Sequence, residues 1–428
     1  MTVATPRRLV WALTLLCLAG YVFVYATGRA SEPIRSDGFS YYVYLPSWWL
    51  FHDSTLAAVA RDCCGGTFPD FTAIIRWPGT RRWVNAHPIG VALMQAPFFL
   101  VADALTWWTN LSRDGFTLYY QHAVGIAGLA WTMTGLWVLA GVLARHFSVR
   151  VTNATLIALL FGTNLYHYAT YDSFYSHSYS FFLVAALIDL TERWHESPTR
   201  DRSLLVGLVA GLIVLVRHTN ILILAVIPLY VIAAHGPRGA LHLAIARARA
   251  LLLTAGVAAF VMLPQLALYL QATGRPIVSS YGTLGFTFGS PHLFGVLLGV
   301  QKGLFFWSPL LLFAVAGLFL LRGPLRAFLI PTLVVLLADT YLIASWWDWQ
   351  FGASYGHRGF IDLFPLLSLG LAAFFTWSAA ARVRLVTVAT TVIVLSALST
   401  IQMLQYWNGV LPGSDLTWSA YRALFLKL

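Results

Sequence analysis

The chain has 428 residues, of which 59% are hydrophobic and only 10% charged, and it carries a formal net charge of +11. Charged residues make up about a quarter of an ordinary soluble domain, so this composition excludes a soluble globule and points to a polytopic membrane protein. The basic excess lies in short loops between apolar segments, where Lys and Arg set orientation; nucleic acid is therefore excluded as a partner and the lipid bilayer takes its place.

Arg7 and Arg8 precede an apolar segment at 9–27, which puts the N-terminus in the cytoplasm and the residues that follow outside. The segment has the length of a span and no A-x-A site follows it, so it reads as a helix and not as a signal peptide. Residues 28–118 form a long external loop with interfacial helices. It opens with SEPIRSDGFSYYVYLPSWWLFHD, where Asp37 stands ahead of Tyr41, Tyr42, Tyr44, Trp48 and Trp49, a mixture suited to the membrane–water interface. Cys63 and Cys64 are adjacent and permit only a vicinal bridge; with Cys17 in the first apolar segment they form no metal or disulfide framework, and free thiols or a minor loop staple are expected. Further on, HPIGVALMQAPFFLVADALTWW is long enough to cross. His87-Pro88 at its start and Asp103 within it suit an interfacial helix better, and that choice keeps the basic turn Arg145 to Arg150 inside.

The remaining spans then fall at 119–144, 151–170, 176–192, 203–216, 221–234, 250–271, 304–321, 327–345, 360–378 and 385–403, eleven with the first. Every short inside turn carries at least two arginines: Arg145/Arg150, Arg193/Arg200/Arg202, Arg238/Arg247/Arg249, Arg322/Arg326 and Arg382/Arg384. The expected fold is an all-α polytopic membrane protein, one integral membrane domain over 1–428 with an external tail at 404–428. Residues 203–234 read as a hairpin, because a single long helix would carry His235 to Arg249 outside. Its first arm offers roughly 21 Å of helix against a hydrocarbon thickness of about 30 Å. Arg217, His218 and Asn220 are therefore expected below the outer surface, where an arginine normally faces a partner or a polar cavity.

Polar chemistry collects at the outer ends of the helices. HYATYDSFYSHSYSFF supplies His167, Asp172 and His177; GRPIVSSYGTLGF supplies Tyr281; VQKGLFFWSP supplies Lys302; and WWDWQFGASYGHRGFIDLFP supplies Asp348, His357, Arg358 and Asp362. Arg358 and Asp362 are four apart, the spacing of a helical ion pair, and anion binding by Arg358 is the equal alternative. His167, Asp172 and His177 lack the i, i+4 spacing of a zinc pair, so no metal is called for and no other cofactor. Neither an internal repeat nor an inverted pair of broken helices is present, which argues against a transporter.

Cations around an outer cavity suit an anionic headgroup, and polyprenyl-phosphate sugars are such substrates. Attack at the anomeric carbon releases a phosphate whose developing charge the cations would stabilise. A carboxylate near the interface can take the proton of the acceptor hydroxyl, and Asp37 fits. The arrangement resembles the C-type membrane glycosyltransferases, the superfamily of protein O-mannosyltransferases and of the aminoarabinose transferase acting on lipid A. The resemblance rests on SDGFSYYVYLPS after the first helix, the HPIGVALMQAPFF segment, DSFYSHSYSFF, GLFFWSP and the GASYGHR run at 352–358. It implies a catalytic base at Asp37, a lipid-phosphate sugar donor and inversion of the anomeric centre. The family commonly shows two adjacent acids at the base; here Gly38 follows Asp37 and the nearest acid is Glu32.

The expected activity is transfer of a sugar from a polyprenyl phosphate to a glycan, lipid or protein acceptor at the external face of the plasma membrane. Arg217, Lys302 and Arg358 are the expected phosphate holders, and Tyr41, Asp172, His177, His218, Tyr281 and His357 the expected substrate contacts. A glycan polymerase or ligase, or a flippase for lipid-linked sugars, are the alternatives.

Overall fold

The computed structural model describes residues 5–279, 281 and 284–427; Ser280, Gly282 and Thr283 of the GRPIVSSYGTLGF run lie outside the described residues. Helix α1 (Pro6–Ala26) starts on a proline, whose missing N–H is no loss at a helix start. The loop region follows as α2 (Asp37–Tyr42), α3 (Tyr44–Trp49), α4 (Ala57–Cys64), an antiparallel hairpin of β1 (Ile74–Arg76) and β2 (Trp83–Asn85), and α5 (Gly90–Trp108). This hairpin is a departure from the all-α expectation. Cys63 and Cys64 are joined as a vicinal disulfide, where free thiols were the alternative.

The bundle continues with α6 (Leu118–His146), α7 (Val149–Phe161), α8 (Leu165–Thr170), α9 (Ser176–Glu196), α10 (Arg200–Val216), α11 (Val226–Ala246) and α12 (Ala248–Thr273). It closes with α13 (Leu293–Leu297), α14 (Leu304–Trp307), α15 (Leu311–Leu318), α16 (Leu329–Ser345), α17 (Phe364–Ala379), α18 (Arg382–Trp407) and α19 (Trp418–Leu424). Among the described residues, eight helical stretches are long and apolar enough to cross a membrane, which makes this a multi-pass membrane protein. Eleven were expected. The expected span at 304–321 breaks at Ser308 and Pro309 into α14 and α15, the one at 151–170 breaks after Phe161 into α7 and α8, α10 stops at 17 residues and α9 is not among the eight, while α5, expected to lie in the interface, is.

Side-chain contacts gather the arginine-rich helix ends. Arg7 stacks on Trp137, Arg145 pairs with Asp189 and Glu192, and Arg247 donates to the His195 carbonyl. The starts of α1 and α12 and the ends of α6 and α9 therefore share one end of the bundle. At α11 the chain turns at Gly236, whose φ of +69° is a left-handed value that glycine adopts without strain. The hairpin reading of 203–234 stands: α10 ends at Val216, Arg217 is extended, and residues His218–Ala225 form a 3-10 turn into α11.

The shortness of α10 positions everything else. It runs parallel to α12, with Gly207 against Val257 and Gly211 against Val261. That register puts Val216 level with Leu266, so α12 rises roughly 10 Å higher at 1.5 Å per residue. The loop region fills the recess. A Cβ on Gly90 would lie 2.4 Å from the Leu215 carbonyl, so only glycine lets α5 start directly on the tip of α10. From there α5 runs antiparallel to α6, with Met94 at Trp131 and Asp103 at Tyr120. By length and composition α5 could cross a membrane; its first residue rests on the tip of α10 and its last turns lie beside the start of α6.

The most enclosed span is Arg358–Ala379, 89% buried over its apolar window, against 6% for the α12 window and 17% for α18. The last two keep largely exposed apolar surfaces, the pattern of lipid-facing helices. The C-terminal tail folds back: Trp407, Leu411 and Leu416 join Val24, Trp307 and Tyr355 in a second apolar cluster.

Candidate functional site

Above the tip of α10, three hydrogen-bonded knots of buried polar side chains form on residues from distant parts of the chain. The first centres on Asp37, the first residue of α2. Its Oδ2 accepts a 2.8 Å hydrogen bond from Arg358 Nη2, and the guanidinium lies 3.9 Å over the ring of Tyr175. Among the described residues Asp37 Oδ1 accepts no hydrogen bond; it lies 4.0 Å from His87 Nε2. The Asp37 side chain is 24% exposed where those of Arg358 and His87 are 10% and 8%, so the carboxylate is the member that faces outward. Tyr41 packs edge-on to His87 and donates to Ser176 Oγ, and the Tyr281 hydroxyl comes within 3.5 Å of His87 Nε2. Burial holds the His87 imidazole below its ordinary pKa despite the pull of Asp37, and its Nδ1 is buried with no partner among the described residues.

The second knot is built on Asp362. Its Oδ1 is 2.9 Å from His177 Nδ1, and its Oδ2 accepts from Arg217 at 2.8 Å and from Asn220 at 2.9 Å. The helical Arg358–Asp362 pair that the spacing allowed is absent. Residues Arg358–Leu363 form a 3-10 turn, in which i and i+3 eclipse and i, i+4 neighbours do not share a face. Asp339, in α16, is also buried near Arg217 and Asp362.

The third knot joins Arg35, Asp172, His167 and Trp407. Asp172 receives Arg35 Nη2 and His167 Nε2, each at 2.9 Å, while Trp407 Nε1 reaches His167 Nδ1 at 2.9 Å. An indole N–H can only donate, so His167 Nδ1 accepts, the proton sits on Nε2, and the ring is neutral and donates to Asp172. Burial raises the Asp172 carboxyl, but His167 and Arg35 outweigh it and hold the group below the usual carboxylate range.

The remaining expected residues are placed differently. Lys302 is fully buried; its Nζ donates to the Ser354 hydroxyl at 2.8 Å, to the Gly413 carbonyl at 2.7 Å and to the Ser354 carbonyl. Three acceptors match the three N–H groups of an ammonium, while burial, aided by the charge of Arg358, pushes its pKa down to about 7. His357 hydrogen-bonds the Trp349 carbonyl through Nε2, and burial followed by the Lys302 charge takes it down to about 3. His218 turns away and meets Tyr269 edge-on.

The structure thus brings Asp37, Arg358, Tyr41 and Tyr281 together with His87, places Arg217 with His177 and Asp362, and sets Lys302, His357 and His218 outside these knots. Sequence reasoning passed over Arg35, two residues before Asp37 in the same run, and Asp339, an acid inside the apolar run LVVLLADTYL and for that reason a site signal in itself. Such an assembly can accept a proton at Asp37 Oδ1 while a fixed guanidinium holds the other oxygen. Comparison with protein-family models, with curated proteins and with solved structures finds no match to the chain.

Proposed function

We propose that the chain moves a sugar from a polyprenyl-phosphate donor to an acceptor hydroxyl at the outer face of the plasma membrane, with inversion. The N-terminus is then cytoplasmic, with the arginine-rich end of the bundle inside and the polar knots outside. The observation that carries the reading is the asymmetry of Asp37: one oxygen is fixed by Arg358, the other accepts no hydrogen bond among the described residues, and the side chain is 24% exposed. In the reaction Asp37 Oδ1 takes the hydroxyl proton as the acceptor oxygen attacks the anomeric carbon. The bond from that carbon to the phosphate oxygen breaks, and polyprenyl phosphate leaves with the electron pair. Asp37 is the one hydrogen-bonded partner of Arg358 among the described residues, which leaves guanidinium N–H groups for the departing phosphate. The rings of Tyr41, Tyr175 and Tyr281 line the place where a sugar would lie and limit the access of water.

The purified full chain in nanodiscs, given polyprenyl-phosphate-linked sugars and candidate glycan, lipid and protein acceptors, tests this. Release of free polyprenyl phosphate coupled to a glycosylated acceptor is expected. Movement of the intact donor between leaflets with no bond broken would overturn the transferase reading in favour of a flippase.

A further inference from the structure

A second charged feature lies in the loop region, away from the knots. A cleft of about 470 Å³ opens between the end of α4 and the β1–β2 hairpin, lined by Arg61, Arg76, Arg81 and Arg82 with Thr55 and Trp83 among its walls. No acid lines it, and among the described residues none of the four arginines makes an ion pair. Of the carboxylates of the same loop region, Asp103 holds Arg113, Asp53 caps the chain at Thr55 and Ala58, and Asp114 caps Phe116 and Thr117, while Asp62 and Asp70 pair with none of the four arginines and do not line the cleft. Arg76 lies 4.3 Å over the Trp83 ring, and Arg82 donates to the Gln271 carbonyl at the top of α12.

That last contact fixes where the cleft is. Arg247, at the start of α12, belongs to the arginine belt that membrane orientation explains; the cleft is at the opposite end of the same helix, where that explanation does not reach. Four unpaired guanidinium groups around one concavity repel one another unless an anion sits between them, and the forked donors of arginine match phosphate oxygens. The cleft also leads toward Asp37. A narrower pocket shares Thr55, Arg82 and Trp83 with it and ends at Tyr44 and Asn85, both hydrogen-bonded to the backbone of His87.

We infer that this cleft binds a phosphate-bearing anion, at a site separate from Asp37 and independent of the transferase reading. The anion is either a lipid headgroup reaching in from the membrane or a soluble phosphate compound. Inorganic pyrophosphate, titrated calorimetrically into the full chain in phosphatidylcholine nanodiscs, is the probe. Saturable binding is expected, weakened at least ten-fold in Arg61→Gln/Arg81→Gln, whose exposed side chains hold no part of the fold, and unchanged in the charge-matched control Arg422→Gln. Nanodiscs doped with phosphatidic acid separate the two sources: loss of pyrophosphate binding there assigns the site to a lipid headgroup, and retention assigns it to a soluble anion. No saturable binding in the undoped discs, or equal binding by the double variant, would overturn the inference.

Discussion

Replacing Asp37 by Asn separates a base from a mere partner of Arg358. The hydrogen bond from Arg358 is 2.8 Å long and joins two charges, a class worth about 1.5–3 kcal/mol. Because 24% of the Asp37 side chain is open to solvent, the lower part of that range applies, and Asn keeps an oxygen to accept the bond. Asp37→Asn should therefore cost only about 1–2 kcal/mol of stability, measured by denaturation in detergent. Its turnover should fall by about 10²- to 10⁴-fold, the usual worth of a general base. Arg358→Gln loses the same interaction from the other side, so Asp37→Asn/Arg358→Gln should be less destabilised than the sum of the single variants by about 1 kcal/mol. Donor turnover in the double variant should be no higher than in Asp37→Asn, because Arg358 also holds the departing phosphate. If Asp37→Asn alone instead keeps turnover within ten-fold of the wild type, the carboxylate serves only to hold the guanidinium, and the base assignment is refuted.

Arg217→Ala leaves Asp362, 1% exposed, with His177 and Asn220 alone, and should cost about 3 kcal/mol, the low end for breaking a buried pair; adding Asp362→Asn should restore part of it in the same denaturation assay. Lys302 has its pKa near 7 in the fold and an ordinary value of 10.5, so the unfolded chain binds more protons between those limits and stability should rise with pH from about 7 to about 10.5. Thermal melts of Lys302→Met should show that slope reduced. A Cβ on Gly128 would lie 1.6 Å from the Ser173 carbonyl oxygen, so Gly128→Ala should lose about 1–3 kcal/mol by forcing α6 from the chain entering α9, and unchanged stability would contradict that packing.

The parts of the fold that were legible in the sequence are those fixed by local physics. Apolar runs gave most of the long helices, and arginine spacing grouped the ends that the contacts among Arg7, Arg145 and Arg247 bring together. Proline, glycine and short polar breaks cut two expected spans, at Pro309 and after Phe161, because a run of apolar residues does not say where a helix stops inside a buried bundle. The site was legible in composition and not in pairing. Arg358 and Asp37 are 321 positions apart, Arg217 and Asp362 are 145 apart, and no local rule selects such partners. The one local rule that did offer a partner, helical spacing between Arg358 and Asp362, failed because that segment is a 3-10 turn. Lys302 looked like a cation free for phosphate; the acceptors that enclose it come from Ser354 and from Gly413 in the tail, neither of them near it in the sequence.

Arg217 was the most informative single residue, because it ends α10 early. With α12 parallel to α10 and taller, an early stop necessarily leaves a recess, and the chain has only its loop region to fill it. Filling it seats α5 on Leu215 and Val216, and that contact brings His87 beside Asp37 while the Arg217 side chain turns to Asp362. One further turn of α10 would add about 5 Å of helix where Gly90 now packs. It would lift α5 and His87 away from Asp37, so the length of this one helix sets whether the outward-facing carboxylate has its neighbours at all.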